Sequence, residues 1–170
     1  GVDLIYLNAT KHNVVMVQYK MLEADRSGKS TDWLYRPDAQ FGKEIARMDK
    51  FARSHAPGSL EYRINPQVFY LRFVRRDEAL GHKTINMTID HYRVLEKDPA
   101  CRGPKGAFRV SYETLGGRYL RQEGFLDLIH GGYIGAYAKT TRDLATLIDE
   151  VLKGNRALVA AVQSSLVRKS

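Results

Sequence analysis

The sequence predicts a mixed α/β protein: a central mixed sheet flanked by helices, with a helical hairpin toward the C-terminal end. Three observations carry that expectation. Aliphatic and β-branched runs at 2–7, 14–22 and 68–74 read as strands. Between the second and third of these, Phe41, Ile45, Met48 and Ala52 recur at helical spacing. Beyond residue 140, Leu144, Leu147, Ile148, Val151 and Leu152 repeat that period, and so do Leu158, Val159, Ala161, Val162 and Leu166, on either side of Gly154-Asn155.

Taken in order, the strands at 2–7 and 14–22 are joined by the polar turn 8–13, a hairpin-like connection. Residues 24–36 read as an exposed loop. Gly28-Lys29-Ser30 within it resembles the end of a phosphate-binding loop, but position 23 is Glu23, where that loop needs a glycine. Pro37 suits a first helical turn, and the helix it opens ends at Ala56-Pro57-Gly58. A short strand is expected at 62–64. The run 68–74 is almost continuously apolar, as a strand buried on both faces would be.

Further on, Thr88 is positioned to cap a helix through Leu95, and 108–112 alternates like a strand. Residues 118–129 read as a helix ending at Gly131-Gly132, where glycine suits the left-handed cap. A strand is expected at 133–138 and helices at 141–152 and 158–166. This divides the chain into a core, 1–76, and an α/β elaboration, 77–170. The opening directly into a strand predicts a fragment of a longer protein.

The 170 residues suffice for one core with a small appended part. Lysine and arginine (27) outnumber aspartate and glutamate (19), for a net charge of +8, so a polyanionic partner is plausible. The lone Cys101 excludes an internal disulfide and a cysteine-rich zinc site, and it reads as a spectator thiol in a turn. No apolar stretch approaches membrane-spanning length and no signal-peptide pattern is present, so no membrane partner and a cytoplasmic location are expected.

The pattern richest in chemistry is Asp3, at the start of the first strand, followed by Gln18-Tyr19-Lys20 on the second. Hydrolysis of a phosphodiester needs charge stabilisation at phosphorus and an activated water, and a hard divalent ion held by oxygen ligands supplies both. Asp3 offers a carboxylate, Gln18 an amide oxygen and Tyr19 its backbone carbonyl. Period-two geometry puts Gln18 and Lys20 on one strand face, and neighbouring strands about 4.8 Å apart can bring Asp3 beside Gln18. Lys20 is then the group that orients water or neutralises developing charge. The alternative makes Asp3 a surface acid, Gln18 an edge polar group and Lys20 a strand-end gatekeeper.

Gly1-Val2-Asp3-Leu4-Ile5 with Val14-Val15-Met16-Val17-Gln18-Tyr19-Lys20 closely resembles the PD-(D/E)xK, or restriction-endonuclease-like, superfamily, in the Mrr-like variant with Q-x-K. The order strand, strand, helix, strand through about residue 76 matches that family's core. The resemblance implies a restriction-endonuclease-like fold, Mg²⁺ or Mn²⁺ as cofactor and DNA as partner. It makes Asp3, Gln18 and Lys20 the catalytic residues and Asp3, Gln18 and Tyr19 the metal ligands. It also implies a deoxyribonuclease of bacterial restriction or phage defence. The chain departs from the family in lacking a helix and strand ahead of Asp3, and the neutral Gln18 predicts weaker metal binding than a glutamate would give.

Basic residues outnumber acids across 36–76. Lys43, Arg47 and Lys50 on the helix, with Arg72 and Arg75 on the following strand, are the candidate nucleic-acid contacts, although a solvated helix face is the default reading of the first three. Gln40 is a candidate accessory residue near the site. The scattered histidines show no metal-ligand spacing. Two other functions compete: a non-catalytic nucleic-acid-binding module on a nuclease-like core, and a subunit-interaction domain in which the hairpin 141–167 packs on another chain, as a homo-oligomer or against further domains of a longer parent.

Overall fold

The computed structural model describes residues 3–8, 10–54, 62–77, 83–137, 145, 146, 149 and 159–163. It is mixed α/β, with both parallel and antiparallel strand pairs. Two compact units interleave along the chain: Gly1–Gln18 with Lys50–Tyr70 and Leu126–Ser170, and Tyr19–Asp49 with Leu71–Phe125. Each takes residues from both sides of position 76, so compactness follows strand pairing rather than chain order.

In the first unit, β1 (Leu4–Asn8) and the beginning of β2 (Asn13–Asp25) form an antiparallel hairpin, in register from Leu4↔Val17 to Asn8↔Asn13. The run Asn13 to Gln18 is buried throughout, as expected of a strand covered on both faces. β8 (Val159–Gln163) lies parallel to β1, from Leu4↔Val159 to Asn8↔Gln163. This corrects the expected helix at 158–166, and with it the helical hairpin. A short apolar run satisfies either period, and the open edge of β1 selects the strand. Most of the helix expected at 141–152 lies outside the described residues; Ala145, Thr146 and Asp149 within it are helical.

The hairpin turn is bolted to the C-terminal end of α4 (Gln122–His130) and to the loop after it. Asn8 is 6 % exposed, and its Nδ2 donates to the carbonyls of Ile129 and His130 at 3.1 and 3.0 Å. Its Oδ1 accepts from the amides of Thr10 and Lys11, both at 3.1 Å. Asn13, fully buried, donates to the carbonyls of Ile129 (3.0 Å) and Ile134 (2.8 Å). The strand expected at 133–138 shrinks to β7 (Ala136–Tyr137), paired with Asn13 and Val14. In place of the expected strand at 62–64 there is one parallel bridge, Asn65↔Ile134.

In the second unit, the end of β2 turns back into β3 (Asp32–Tyr35), pairing Glu23↔Leu34 and Asp25↔Asp32. The expected loop at 24–36 therefore contracts to a turn. Asp25 organises it by accepting from the backbone N–H and hydroxyl of Ser27 at 3.0 and 2.6 Å, and these bonds hold its carboxyl below the ordinary range. α1 (Ala39–Ser54) is capped by Asp38, whose Oδ1 accepts from the Phe41 amide at 2.7 Å, so Pro37 stands ahead of the helix rather than in its first turn.

β4 (Phe69–Arg75) realises the apolar run, and β5 (Ile85–Thr88), not foreseen, lies beside it. Thr88 caps α2 (Ile89–Lys97) as expected, accepting from the His91 amide. Only Val110–Ser111 of 108–112 forms a strand, β6. Ser111 caps the short helix α3 (Tyr112–Leu115), which ends the pairing. Residues 118–121 are not helical because Leu120 exchanges both backbone bonds with Asn86.

The second unit's core is a chain of edge-on and tilted rings. Tyr35 meets Phe41 and Phe73 with centroids 5.3 and 5.4 Å apart, Phe41 meets Tyr92 at 5.2 Å, and Tyr92 meets Phe108 at 5.5 Å. Burial pushes the phenols of Tyr35 and Tyr92 well up, so both stay neutral hydroxyls.

In the first unit, Gly135 has φ +101°, and a Cβ there would stand 2.5 Å from the Val14 carbonyl oxygen. Gly135→Ala is expected to lower the unfolding free energy by about 3 kcal/mol or more, because strain and overlap add. Gly106→Ala, at φ +77° with open space around it, should cost only about 1 kcal/mol. Urea denaturation of both variants tests this, and equal costs would refute it.

Candidate functional site

The two strands that carry the motif pair as the spacing requires. One residue before Leu4↔Val17, the Asp3 amide donates to the Val17 carbonyl at 2.9 Å, and the Asp3 side chain is exposed. Gln18, next to Val17 on β2, is 2 % exposed. Asp3 and Gln18 thus belong to the first unit, and Tyr19 and Lys20 to the second.

Within the second unit, Lys20 is half-buried. Its Nζ lies 2.9 Å from Oε2 of Glu44 on α1 and 4.4 Å from the Phe41 ring centroid. The side chains of Lys20 and Glu44 are 18 % and 14 % exposed, so solvent screens this pair less than a surface pair. Glu44 is the residue that the motif reading missed. Its position three residues after the buried Phe41 was the available signal, since that places an acid at the border of the helix's apolar stripe.

Tyr19 is half-buried, and its hydroxyl accepts from Nη1 of Arg72 at 2.8 Å. Arg72 corrects its assignment as a nucleic-acid contact. It is 3 % exposed, donates from Nε to Asn86 Oδ1 at 2.7 Å, and has its guanidinium carbon 5.3 Å from the ring centroids of both Tyr19 and Phe125. The strand's mid-length position turned this arginine inward, where an amide, a phenol and two rings take the place of water.

Arg75 is also engaged. It holds Asp77 through Nε at 2.9 Å and Nη2 at 2.6 Å, and lies 4.2 Å from the Trp33 ring centroid. It lines a cleft of about 390 Å³ together with Trp33, Lys83, Tyr119 and Arg121. Lys43, Arg47, Lys50 and Gln40 are exposed on α1. Nearby, Arg93 ties Asp49 to Glu96 at 3.1 and 2.9 Å.

Cys101 is fully buried at the end of the 3₁₀ turn Pro99–Cys101. Burial, reinforced by Asp98, pushes its thiol up, in keeping with an inert role. His91 is pushed down by burial and by Arg118. His55 and His82 lie outside the described residues.

As a ligand set for a divalent ion, Asp3, the Gln18 amide and the Tyr19 carbonyl are all hard oxygen donors, which fits Mg²⁺ or Mn²⁺ in kind. Among the described residues, no three His, Cys, Asp or Glu side chains form a group able to hold a metal.

Arg72→Ala is expected to lower stability by about 3 kcal/mol, because it removes the buried guanidinium that donates to Asn86 Oδ1 and to the Tyr19 hydroxyl. Lys43→Ala should change it by less than about 0.5 kcal/mol. Urea unfolding followed through the single Trp33 measures both, and a neutral Arg72→Ala would show that its burial matters little. No protein-family model matches this sequence, and neither a curated protein nor a solved structure matches it significantly.

Proposed function

We propose that this chain carries the core of a divalent-metal-dependent endonuclease hydrolysing DNA phosphodiester bonds. The single observation that carries the reading is Lys20, held half-buried on β2 by Glu44, two residues after the buried Gln18. The D-x(14)-Q-x-K spacing, the amide of Asp3 anchored to Val17 and the net charge of +8 support it.

In this reading Asp3, Gln18 and the Tyr19 carbonyl would hold the metal, and Mg²⁺ or Mn²⁺ bound there would supply charge stabilisation at phosphorus and an activated water. Lys20 has a distinct task. The Glu44 carboxylate aims its ammonium, and a positive charge positioned at a partly dry site favours the negative charge that builds on the phosphate oxygens.

The competing reading, a nucleic-acid-binding module without cleavage, is favoured by the neutral Gln18, which leaves Asp3 as the one carboxylate of the proposed ligand set. A role in restriction or phage defence rests on resemblance alone.

Incubating the protein with plasmid DNA in Mg²⁺, Mn²⁺ or EDTA decides between the two readings. Metal-dependent nicking that falls at least about 100-fold in both Asp3→Ala and Lys20→Ala, at unchanged melting temperature, is the expected result. Cleavage that survives both substitutions rejects the site. Salt-sensitive binding with no cleavage in either metal selects the binding module.

A further inference from the structure

The tip of the β1–β2 hairpin and the loop after α4 flank a second feature, an open cleft of about 360 Å³ within the first unit. Its wall includes Lys11, His12, Tyr62, Arg63, Gly132 and Tyr133, and among the described residues no carboxylate lines it. It is a built site, because the Asn8 and Asn13 amides fasten the hairpin tip to the carbonyls of Ile129, His130 and Ile134. Gly132 (φ +73°) allows the loop to touch the tip, where a Cβ would stand 2.6 Å from that of Lys11. His12 holds a left-handed φ of 55°, the only non-glycine positive φ among the described residues, and such strain concentrates at ligand clamps.

The charge and the rings are both preset. The Arg63 guanidinium donates to the carbonyls of Tyr62 (3.1 Å) and Lys11 (3.2 Å) and lies 5.9 Å from the Tyr137 ring centroid. Tyr62 and Tyr133 meet edge to face at 6.5 Å, yet are 73 % and 47 % exposed. With Ile64, whose amide donates to the Tyr133 carbonyl, they make up three of the five large exposed apolar side chains among the described residues. Exposed rings beside the held Arg63 guanidinium and the Lys11 side chain, with no acid among the described lining residues, form a surface suited to a flat aromatic group that carries a phosphate.

We propose that this cleft is a nucleotide-binding site, with a base stacked on Tyr62 or Tyr133 and its phosphate held by Lys11 and Arg63. The same chemistry comes from a free mononucleotide or from an unpaired strand. Asn8 and Asp3 are five residues apart on one strand, about 16 Å, so the cleft is separate from the proposed cleavage residues. Occupancy does not depend on cleavage.

The test uses fluorescence anisotropy of the full chain with a labelled oligothymidylate in EDTA, on a Lys20→Ala background as well as on the original sequence. Binding is expected on both. Tyr62→Ala should weaken it about tenfold, and Lys11→Ala should reduce the dependence of log K on log salt by about 0.7. Arg76→Ala, an exposed charge in the other unit, should do neither. Competition by adenosine monophosphate at concentrations similar to those of the oligomer identifies the free nucleotide as occupant, whereas competition by unlabelled oligomer alone identifies a strand. No binding, binding indifferent to Tyr62 and Lys11, or equal competition by inorganic phosphate overturns the proposal. Tyr62 is so exposed that its removal should leave the melting temperature unchanged, which guards against misreading an unfolded variant. Loss of binding in Tyr62→Ala but not in Lys20→Ala keeps this site distinguishable from the nuclease reading, whichever of the two fails.

Discussion

Register in the β1–β2 hairpin is the constraint on which the first unit depends, and two buried asparagines set it. Asn8 and Asn13 face each other as the last pair of the ladder, and each spends its amide donors on the carbonyls between Ile129 and Ile134. Slipping the hairpin by one residue would send every side chain of β2 to the opposite face and leave those donors and carbonyls buried without each other. The asparagines therefore specify position while the aliphatic residues supply burial. The Asp3 amide on the Val17 carbonyl, and the open cleft at the hairpin tip, both follow from that register.

The second unit uses a different device. Its apolar interior is a run of aromatic contacts from Phe73 through Tyr35, Phe41 and Tyr92 to Phe108, geometrically particular in a way that aliphatic packing is not. Beside it, Arg72 is a charge taken out of water and given an amide, a phenol and two ring faces in exchange. Lys20 continues the theme, its ammonium set between Glu44 and the face of Phe41. A lysine held in this way is aimed rather than free. Aiming suits an electrostatic role in phosphate chemistry, but the same ion pair also serves a purely structural lysine.

The elements most legible in the sequence were those specified by local chemistry. The strands β1, β2 and β4 announced themselves through continuous aliphatic runs, α1 through the spacing of Phe41, Ile45 and Met48, and the start of α2 through the Thr88 hydroxyl. What escaped were the elements that exist only because a partner is present. β8 has an apolar run that fits either period, and only the edge of β1 makes it a strand. Residues 118–121 look helical until Leu120 finds Asn86. The site was legible in the same uneven way: the proximity of Asp3 to β2 followed from hairpin pairing, whereas Glu44 came to Lys20 from a different element.

By itself, then, the sequence determined the α/β class, the main strands and helices, the basic charge and the motif Asp3, Gln18, Lys20, because propensity, period and capping act over a few residues. Tertiary structure alone decided which charges remain available. It buried Arg72, engaged Arg75 with Asp77 and Trp33, and joined Lys20 to Glu44, while leaving Tyr62 and Tyr133 in solvent beside Arg63. The physical reason is that the environment of a charged or aromatic side chain is a property of every element packed around it, and nothing in its own neighbourhood along the chain encodes that environment.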